Sequence, residues 1–251
     1  LKYLKIKKKN IEITSTSDMP AGTGLGSSGS FTTALIKSLM VYQNQHIDQQ
    51  LLAKKACKIE IDILKEPIGK QDQYISAVGG ISSFVFKKND TVVYKPLNLS
   101  SDVILKMEDN LLLFFTGLSR SASKILKDQN EKTKRNNKEM EKNLNFIKDI
   151  GYHSKALLEK GNLIEFGKLL DEHWLKKMKR SKGISNAKIE SLYEFAKKNG
   201  AIGGKLVGAG GGGFLMFYTE QPTMLRNAMK TKGIYDTRFS FDFEGTKVIH
   251  S

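Results

Sequence analysis

The sequence predicts a folded protein of the α+β class. Three patterns predict this: a strand-like segment leads through a glycine-rich turn into a helix, a buried strand lies mid-chain, and helices alternate with short strands toward the end. A chain of 251 residues with 39% hydrophobic content is long enough for one or two domains with a core. No apolar run approaches the roughly 18 residues of a membrane span. The single cysteine, Cys57, excludes an internal disulfide framework, and the start lacks the apolar core of a signal peptide, so we expect a cytoplasmic protein.

In the first part of the chain, residues 11–17 (IEITSTS) alternate like a strand, and residues 29–42 have helical spacing. A second helical pattern runs from Ile47 to about Leu64. It ends at the break EPIGKQDQY (66–74), and the segment ISSFVF (81–86) follows as a predicted strand. The predicted order is therefore strand, glycine loop, helix, helix and strand.

In the second part, NLLLFFTG (110–117) is typical of a buried strand, and helical patterns fill residues 122–182. The remaining predicted elements are a helix at 186–198, strands near 204–208 and 213–218, a helix at 222–232, and strands at RFSFDF (238–243) and KVIH (247–250). This order resembles a ferredoxin-like α+β unit. We expect two domains, residues 1–105 and 106–251, that pack together.

The formal net charge of +15 is compatible with a nucleic-acid partner or with an anionic small substrate. Much of the charge lies in residues 2–9 and 130–143, and in the latter segment acids interrupt the bases and no aromatic residue is present for base stacking. We interpret these segments as solvated lysine-rich surface. We therefore expect neither a nucleic acid nor a membrane as a partner.

The segment DMPAGTGLGSSGSFTTAL (18–35) places four glycines and four hydroxyl side chains in a turn before a helix. Consecutive backbone N–H groups in such a turn, followed by a helix N-terminus, form a concave anion site. A Walker loop is excluded because Ser30, rather than lysine, follows Gly29. Residues 24–29 match the dinucleotide pattern G-x-G-x-x-G, but the acidic residue at the end of a second strand is absent. A phosphate-binding loop is preferred over a turn that only caps the helix.

Three segments of the sequence resemble the signature motifs of a known enzyme family. PAGTGLGSSGS (20–30) resembles the central signature of the GHMP kinases, in which this loop embraces the triphosphate of ATP. GKQDQYISAVGG (69–80) resembles the segment holding the catalytic aspartate, and KLVGAGGGGFLMFY (205–218) resembles the third signature. Within this superfamily, the segments CKIEIDILKEPIGKQDQY, FTGLSRSASKIL, EHWLKKMK and GGKLVGAGGGGF look most like the D-glycero-D-manno-heptose 7-phosphate kinases.

The resemblance implies a two-domain fold, with an N-terminal α/β domain packed on a C-terminal ferredoxin-like domain. The family's first signature has no counterpart in this sequence, so we expect the N-terminal domain to be incomplete here. The implied activity is transfer of phosphate from ATP, with Mg²⁺, to the anomeric hydroxyl of a heptose 7-phosphate. Its product would feed nucleotide-activated heptose for a bacterial surface glycan.

The resemblance also assigns roles to residues. Asp72 orients the acceptor hydroxyl and takes its proton, while Ser28 and Glu60 hold Mg²⁺. From their positions, Arg120, between a predicted strand and a predicted helix, is a candidate for contact with a substrate phosphate, and Lys70, close to Asp72, could hold that carboxylate ionised or contact phosphate. The predicted nucleotide-binding residues are Ala21, Gly22, Thr23, Gly24, Leu25, Gly26, Ser27 and Ser28, and the predicted substrate or active-site loop contains Gly208, Ala209, Gly210 and Gly211.

Plainer roles stay open for these residues. Asp72 could cap a turn, Glu60 could be a solvated carboxylate or form an ion pair, and Lys70 and Arg120 could be surface cations. The run 208–213 could be a tight turn between strands, could approach the loop at 22–28, or could contact the substrate. The four histidines share no helical spacing, so no zinc site is predicted.

Other functions also stay open. The chain could be a fucokinase- or galactokinase-like sugar kinase that acts on an anomeric hydroxyl. It could instead be a non-catalytic nucleotide-binding regulator on the same fold, although Asp72 and Glu60 argue for catalysis. A homo-oligomer is neither predicted nor excluded.

Overall fold

A computed structural model describes residues 3–4, 6, 10–118, 123–134, 138–179 and 183–249. The chain divides into two compact units. The first unit consists of Leu1–Ala21, Gly26–Tyr94 and Phe241–Ser251, and the second of Gly22–Leu25 and Lys95–Ser240. Both units are therefore discontinuous in sequence, and the glycine-rich loop is divided between them.

The first unit is mainly helical. Its elements are α1 (Ser27–Tyr42), α2 (Gln49–Cys57) with a π-helical continuation (Lys58–Ile63), α3 (Gln71–Val78), and the two-stranded sheet of β1 (Ser82–Phe86) and β2 (Val92–Pro96). The helices share a core that includes Ile36, Leu52, Ala56 and Tyr74. Asp48 fixes the start of α2 because its carboxylate accepts a hydrogen bond from the Leu51 N–H at 2.8 Å. The predicted helix from Ile47 is thus confirmed, with a π-helical turn at its end.

The second unit combines helices with a four-stranded sheet. Its elements are α4 (Ser101–Asn110), β3 (Leu111–Phe115), α5 (Ser123–Lys134), α6 (Lys138–Glu159), α7 (Leu163–Met178), α8 (Ala187–Lys198), β4 (Gly203–Leu206), β5 (Phe214–Tyr218), α9 (Pro222–Lys230) and β6 (Asp236–Thr237). Side chains at caps mark several helix starts. Ser100 accepts from the Val103 N–H, and Asn186 accepts from the Ile189 N–H.

The sheet has the strand order β4-β5-β3-β6, and its described pairs are antiparallel. Leu113 of β3 lies opposite Met216 of β5 on one side and Thr237 of β6 on the other. This order, with helices between β3 and β4 and α9 between β5 and β6, is a ferredoxin-like arrangement. Trp174 and Phe217, both fully buried, lie in the core beneath it.

Three strand predictions are wrong. Residues 11–17 form no strand, because neither sheet of the described chain includes them as a partner. The described residues of 238–243 and 247–250 also form no strand, and the edge strand β6 ends just before them; His250 lies outside the described residues. The tail instead packs against helices, where the Gly80 N–H donates to the Asp242 carbonyl at 2.6 Å and the Thr246 hydroxyl lies 2.8 Å from the Ser76 carbonyl oxygen.

Candidate active site

The first part of the glycine-rich loop packs against a second glycine-rich turn, residues 207–213, with backbone in contact with backbone. Gly24 has φ 84°, and a β-carbon there would lie 2.9 Å from the Val207 carbonyl oxygen. A β-carbon on Gly208 would lie 2.6 Å from the Gly24 α-carbon, and one on Gly213 would lie 2.1 Å from the Thr23 carbonyl oxygen. Only glycine allows this approach. The prediction that the 208–213 run approaches this loop is confirmed.

The second glycine-rich turn is held in place by its own backbone. The Gly211 N–H donates to the Ile184 carbonyl at 2.8 Å, and the Gly213 N–H donates to the Leu118 carbonyl at 2.7 Å. Most of the turn is buried, whereas Gly208 is exposed. The exposed end of a fixed turn is therefore the part that supports Gly24.

The second part of the loop opens α1. Its N-cap residue, Gly26, has a left-handed backbone (φ 72°) and provides no side-chain cap. The first N–H groups of an α-helix have no intrahelical acceptor, and the helix dipole adds positive potential at the same place. Ser27 and Ser28 follow directly, and Ser28 is exposed. This end of α1 has the chemistry of a phosphate site.

Asp72 lies beside that helix start. A β-carbon on Gly26 would lie 3.4 Å from the Asp72 carboxyl carbon, and one on Gly29 would lie 2.9 Å from its backbone carbonyl carbon. Partial burial raises the pKa of the Asp72 carboxyl, and the negative charge of Glu60 raises it further, although the residue also faces solvent. Both effects favour a proton on Asp72.

Glu60 is a buried carboxylate in the π-helical turn, with an exposed fraction of 3%. Its Oε1 accepts a hydrogen bond from the Thr32 hydroxyl at 2.6 Å, and its Oε2 accepts one from the Gln73 amide. Thr32 lies on α1 and Gln73 on α3, so Glu60 ties together the two helices whose starts carry Ser28 and Asp72. Sequence reasoning missed Thr32 and Gln73, because neither spacing nor residue type indicates these contacts.

Ser28 and Glu60 are the residues that the sequence predicts for a magnesium ion. Among the described residues, no group of three or more His, Cys, Asp or Glu side chains could hold a metal. Mg²⁺, however, usually takes only one or two carboxylates and completes its octahedron with water and substrate phosphates. Glu60 is held rigidly, and its charge acts unfavourably on Asp72, which a nearby dication would relieve.

The remaining predicted residues divide into three groups. Lys70 forms an ion pair with Asp90, and both line a cavity of about 380 Å³ beside the start of α3. Lys87, on the same cavity, adds a second ammonium group. Ala209 and Gly210 belong to the turn whose Gly208 meets Gly24. Arg120 lies outside the described residues.

Comparison with known proteins agrees with this arrangement. The family model of the GHMP kinases N terminal domain matches residues 1–80, and that of the GHMP kinases C terminal matches residues 154–234. The chain belongs to the GHMP kinase family. It is 31% identical over 234 residues to the D-glycero-alpha-D-manno-heptose 7-phosphate kinase of Campylobacter jejuni, an alignment that covers 92% of this chain and 68% of the relative.

Two further relatives support the same class. The crystal structure of a D-glycero-D-manno-heptose 1-phosphate kinase from Bacteroides thetaiotaomicron matches with a TM-score of 0.77 and 27% identity, covering 100% of this chain and 72% of that one. An L-fucokinase/L-fucose-1-P guanylyltransferase of Bacteroides fragilis is 26% identical over 219 residues, which are 84% of this chain and 22% of the relative. These similarities class the chain with the sugar kinases of the family. Family membership implies ATP as the phosphoryl donor.

In the part of the chain that the structure describes, no helix combines the length and apolar character needed to cross a bilayer.

Proposed function

We propose that this chain carries the phosphoryl-transfer site of a kinase that phosphorylates the anomeric hydroxyl of D-glycero-D-manno-heptose 7-phosphate. One observation carries the proposal: Asp72 lies against the uncapped start of α1, where Gly26 and Gly29 leave room for it. A base beside a phosphate site is the minimum arrangement for phosphoryl transfer. The choice of acceptor is supported by 31% identity to a heptose 7-phosphate kinase.

Residues of this chain would divide the reaction as follows. The backbone from Ala21 to Ser28 holds the phosphates of ATP. Ser28 and Glu60 would hold Mg²⁺, which would neutralise phosphate charge. Asp72 accepts a hydrogen bond from the acceptor hydroxyl and so directs its oxygen at the γ-phosphorus.

The bonds that change are the same as in other kinases. The acceptor oxygen forms a bond to the γ-phosphorus, the bond from that phosphorus to the bridging oxygen breaks, and ADP leaves. The hydroxyl proton passes to Asp72 and then to water. A raised pKa of Asp72, caused first by burial and then by Glu60, favours this proton transfer. Because the transition state of phosphoryl transfer is loose, the proton passes to Asp72 late in the reaction, and a carboxylate is a sufficient base.

The acceptor side is supported by charge. Lys70, two residues before Asp72, and Lys87 line the cavity beside the start of α3, together with Asp90, which forms an ion pair with Lys70. The net positive charge of these three side chains and the helix start suit a phosphorylated sugar better than a neutral one. A kinase fed by cellular ATP and sugar phosphate would work in the cytoplasm, with no nucleic acid or membrane as a partner.

Coupled ADP release by the full-length protein tests the proposal. Heptose 7-phosphate, fucose, galactose and mannose are compared as acceptors with Mg²⁺ and ATP. Fast turnover is expected on the heptose phosphate alone. Preference for fucose or galactose would support the second candidate function, a fucokinase- or galactokinase-like sugar kinase. The 26% identity to a fucokinase favours this candidate. Nucleotide binding without turnover of any sugar would instead indicate a regulator.

A further inference from the structure

Lys177 is a buried lysine at the C-terminal end of α7, in the segment EHWLKKMK. Its exposed fraction is 6%, and lysine is among the residues least often buried. Burial of an ammonium group is unfavourable unless its hydrogens are accepted and its charge is compensated. The position therefore needs a reason that helix packing alone does not provide.

The lysine is placed by tight packing of α7 on the sheet. A β-carbon on Gly203 would lie 2.0 Å from the Gly167 carbonyl oxygen, so α7 and β4 are in backbone contact. Trp174, one turn before Lys177, is fully buried in the core. Together these contacts fix the last turn of α7 beneath the end of β4.

The ammonium group forms hydrogen bonds at the start of the second glycine-rich turn. Lys177 Nζ donates to the Leu206 carbonyl at 2.9 Å and also to the Gly208 carbonyl. Leu206 ends β4, and Gly208 is the residue on which Gly24 rests. One side chain thus bonds both ends of the segment that supports the phosphate-binding loop. All of these residues belong to the second unit.

One physical consequence follows. The paired hydrogen bonds hold the Gly208 carbonyl turned toward the protein, which keeps the exposed surface of the turn in contact with Gly24.

We propose that Lys177 is a positioning residue for nucleotide binding, which holds the Gly208 turn against Gly24 of the phosphate-binding loop. The inference rests on the proposed function for the identity of the ligand, ATP. It does not depend on which sugar is the acceptor.

The test compares three variants of the full-length protein: Lys177→Met, Lys177→Arg and the control Lys176→Met. Lys176 is exposed on the same helix, where its ammonium group lies over the Phe146 ring. Binding of MgATP and MgADP is measured by titration calorimetry, which needs no acceptor. Hydrogen exchange of the backbone amides of 207–213 is measured in parallel.

Lys177→Met is expected to weaken MgATP binding by about tenfold or more, because hydrogen bonds from a charged donor are lost. Amides of the turn should exchange faster, and the Lys176→Met protein should bind like the wild type. Lys177→Arg should recover most of the binding. In turnover, KM for ATP should rise while KM for the acceptor stays unchanged, a split that general loss of stability would not produce.

Wild-type affinity in a folded Lys177→Met protein would overturn the proposal. If the methionine variant does not fold, the arginine variant decides in its place. In a folded Lys177→Arg protein, slow amide exchange of residues 207–213 together with near wild-type MgATP binding supports the proposal. Failure of Lys177→Arg to fold makes Lys177 a folding determinant and overturns the proposal. Nucleotide binding that depends on Lys177, without turnover of any sugar, would reject the proposed function and leave this inference standing.

Discussion

Gly29 and Asp72 are in backbone contact: a β-carbon on Gly29 would lie 2.9 Å from the Asp72 carbonyl carbon and 3.1 Å from the Gln73 nitrogen. This contact brings the start of α1 against the start of α3 and so sets the position of the candidate base relative to the phosphate site. Glu60 reinforces the same pair of helices through Thr32 and Gln73.

Gly29→Ala should therefore lower activity by displacing Asp72. Alanine favours a helix over glycine, but the added methyl group overlaps the α3 backbone, and overpacking costs about 1–3 kcal/mol. Gly151→Ala is the matched control, because Gly151 is also helical and has open space around its β-carbon position. That control should gain about 0.5–1 kcal/mol. Denaturant unfolding and kcat are measured, and a Gly29→Ala protein with wild-type kcat would contradict the assigned contact.

Gly208→Ala should weaken nucleotide binding. Its φ of 72° is left-handed, and its β-carbon would meet the Gly24 α-carbon at 2.6 Å. Gly233→Ala is the control, because Gly233 has φ 70° but no atom within 4 Å of its β-carbon position. The control should lose only about 1–2 kcal/mol of stability. Equal nucleotide affinity of the two variants would show that the turn does not support the loop.

Asp72→Asn should raise the thermal unfolding midpoint in magnesium-free buffer, even though it removes the candidate base. Burial, and then Glu60, raise the pKa of Asp72 in the folded state, so above that pKa its charge favours unfolding. The gain should be present at about pH 7.5 and vanish below about pH 3, where folded and unfolded states are both protonated. Asp62→Asn, at an exposed position of the π-helical turn, is the control. A lower midpoint at neutral pH in the Asp72→Asn protein would be the opposite result.

Cys57 should resist thiol reagents in the native protein. Burial raises the pKa of its thiol to about 12, a shift that the charge of Lys70 opposes and that of Glu60 assists. The reactive thiolate is therefore scarce at about pH 8. Maleimide labelling followed by mass spectrometry should be slow until denaturant opens the α2 packing, and rapid labelling in native buffer would refute the buried placement.

Local sequence patterns correctly predicted the helices and strands that pack within a single hydrophobic core. The helical pattern from Ile47 to about Leu64 indicated α2, in which Leu52 and Cys57 are buried, and the apolar run at 111–115 indicated the central strand. Residues 11–17 alternate like a strand, but alternation does not supply a hydrogen-bonded neighbour. The strand predictions after β6 were wrong for a related reason. The Asp242 carbonyl and the Thr246 hydroxyl form hydrogen bonds with Gly80 and Ser76 rather than with a neighbouring strand.

The same limit applies to the site. The glycine spacing and the family resemblance pointed to the loop, to Glu60 and to Asp72, because phosphate and metal chemistry restrict the residue types that can serve. The contacts of Thr32, Gln73 and Lys177 depend on tertiary packing between residues distant in sequence. A lysine in a lysine-rich chain carries no sign that it is buried.

The central claim is that Asp72 acts as the base in phosphoryl transfer to a sugar phosphate. The most direct measurement is ADP release from MgATP with heptose 7-phosphate by the full-length wild type and its Asp72→Asn variant. The account predicts rapid release by the wild type and a loss of about 10²–10⁴-fold in kcat in the variant, with nucleotide affinity retained. Equal rates for the two proteins would remove Asp72 from the mechanism.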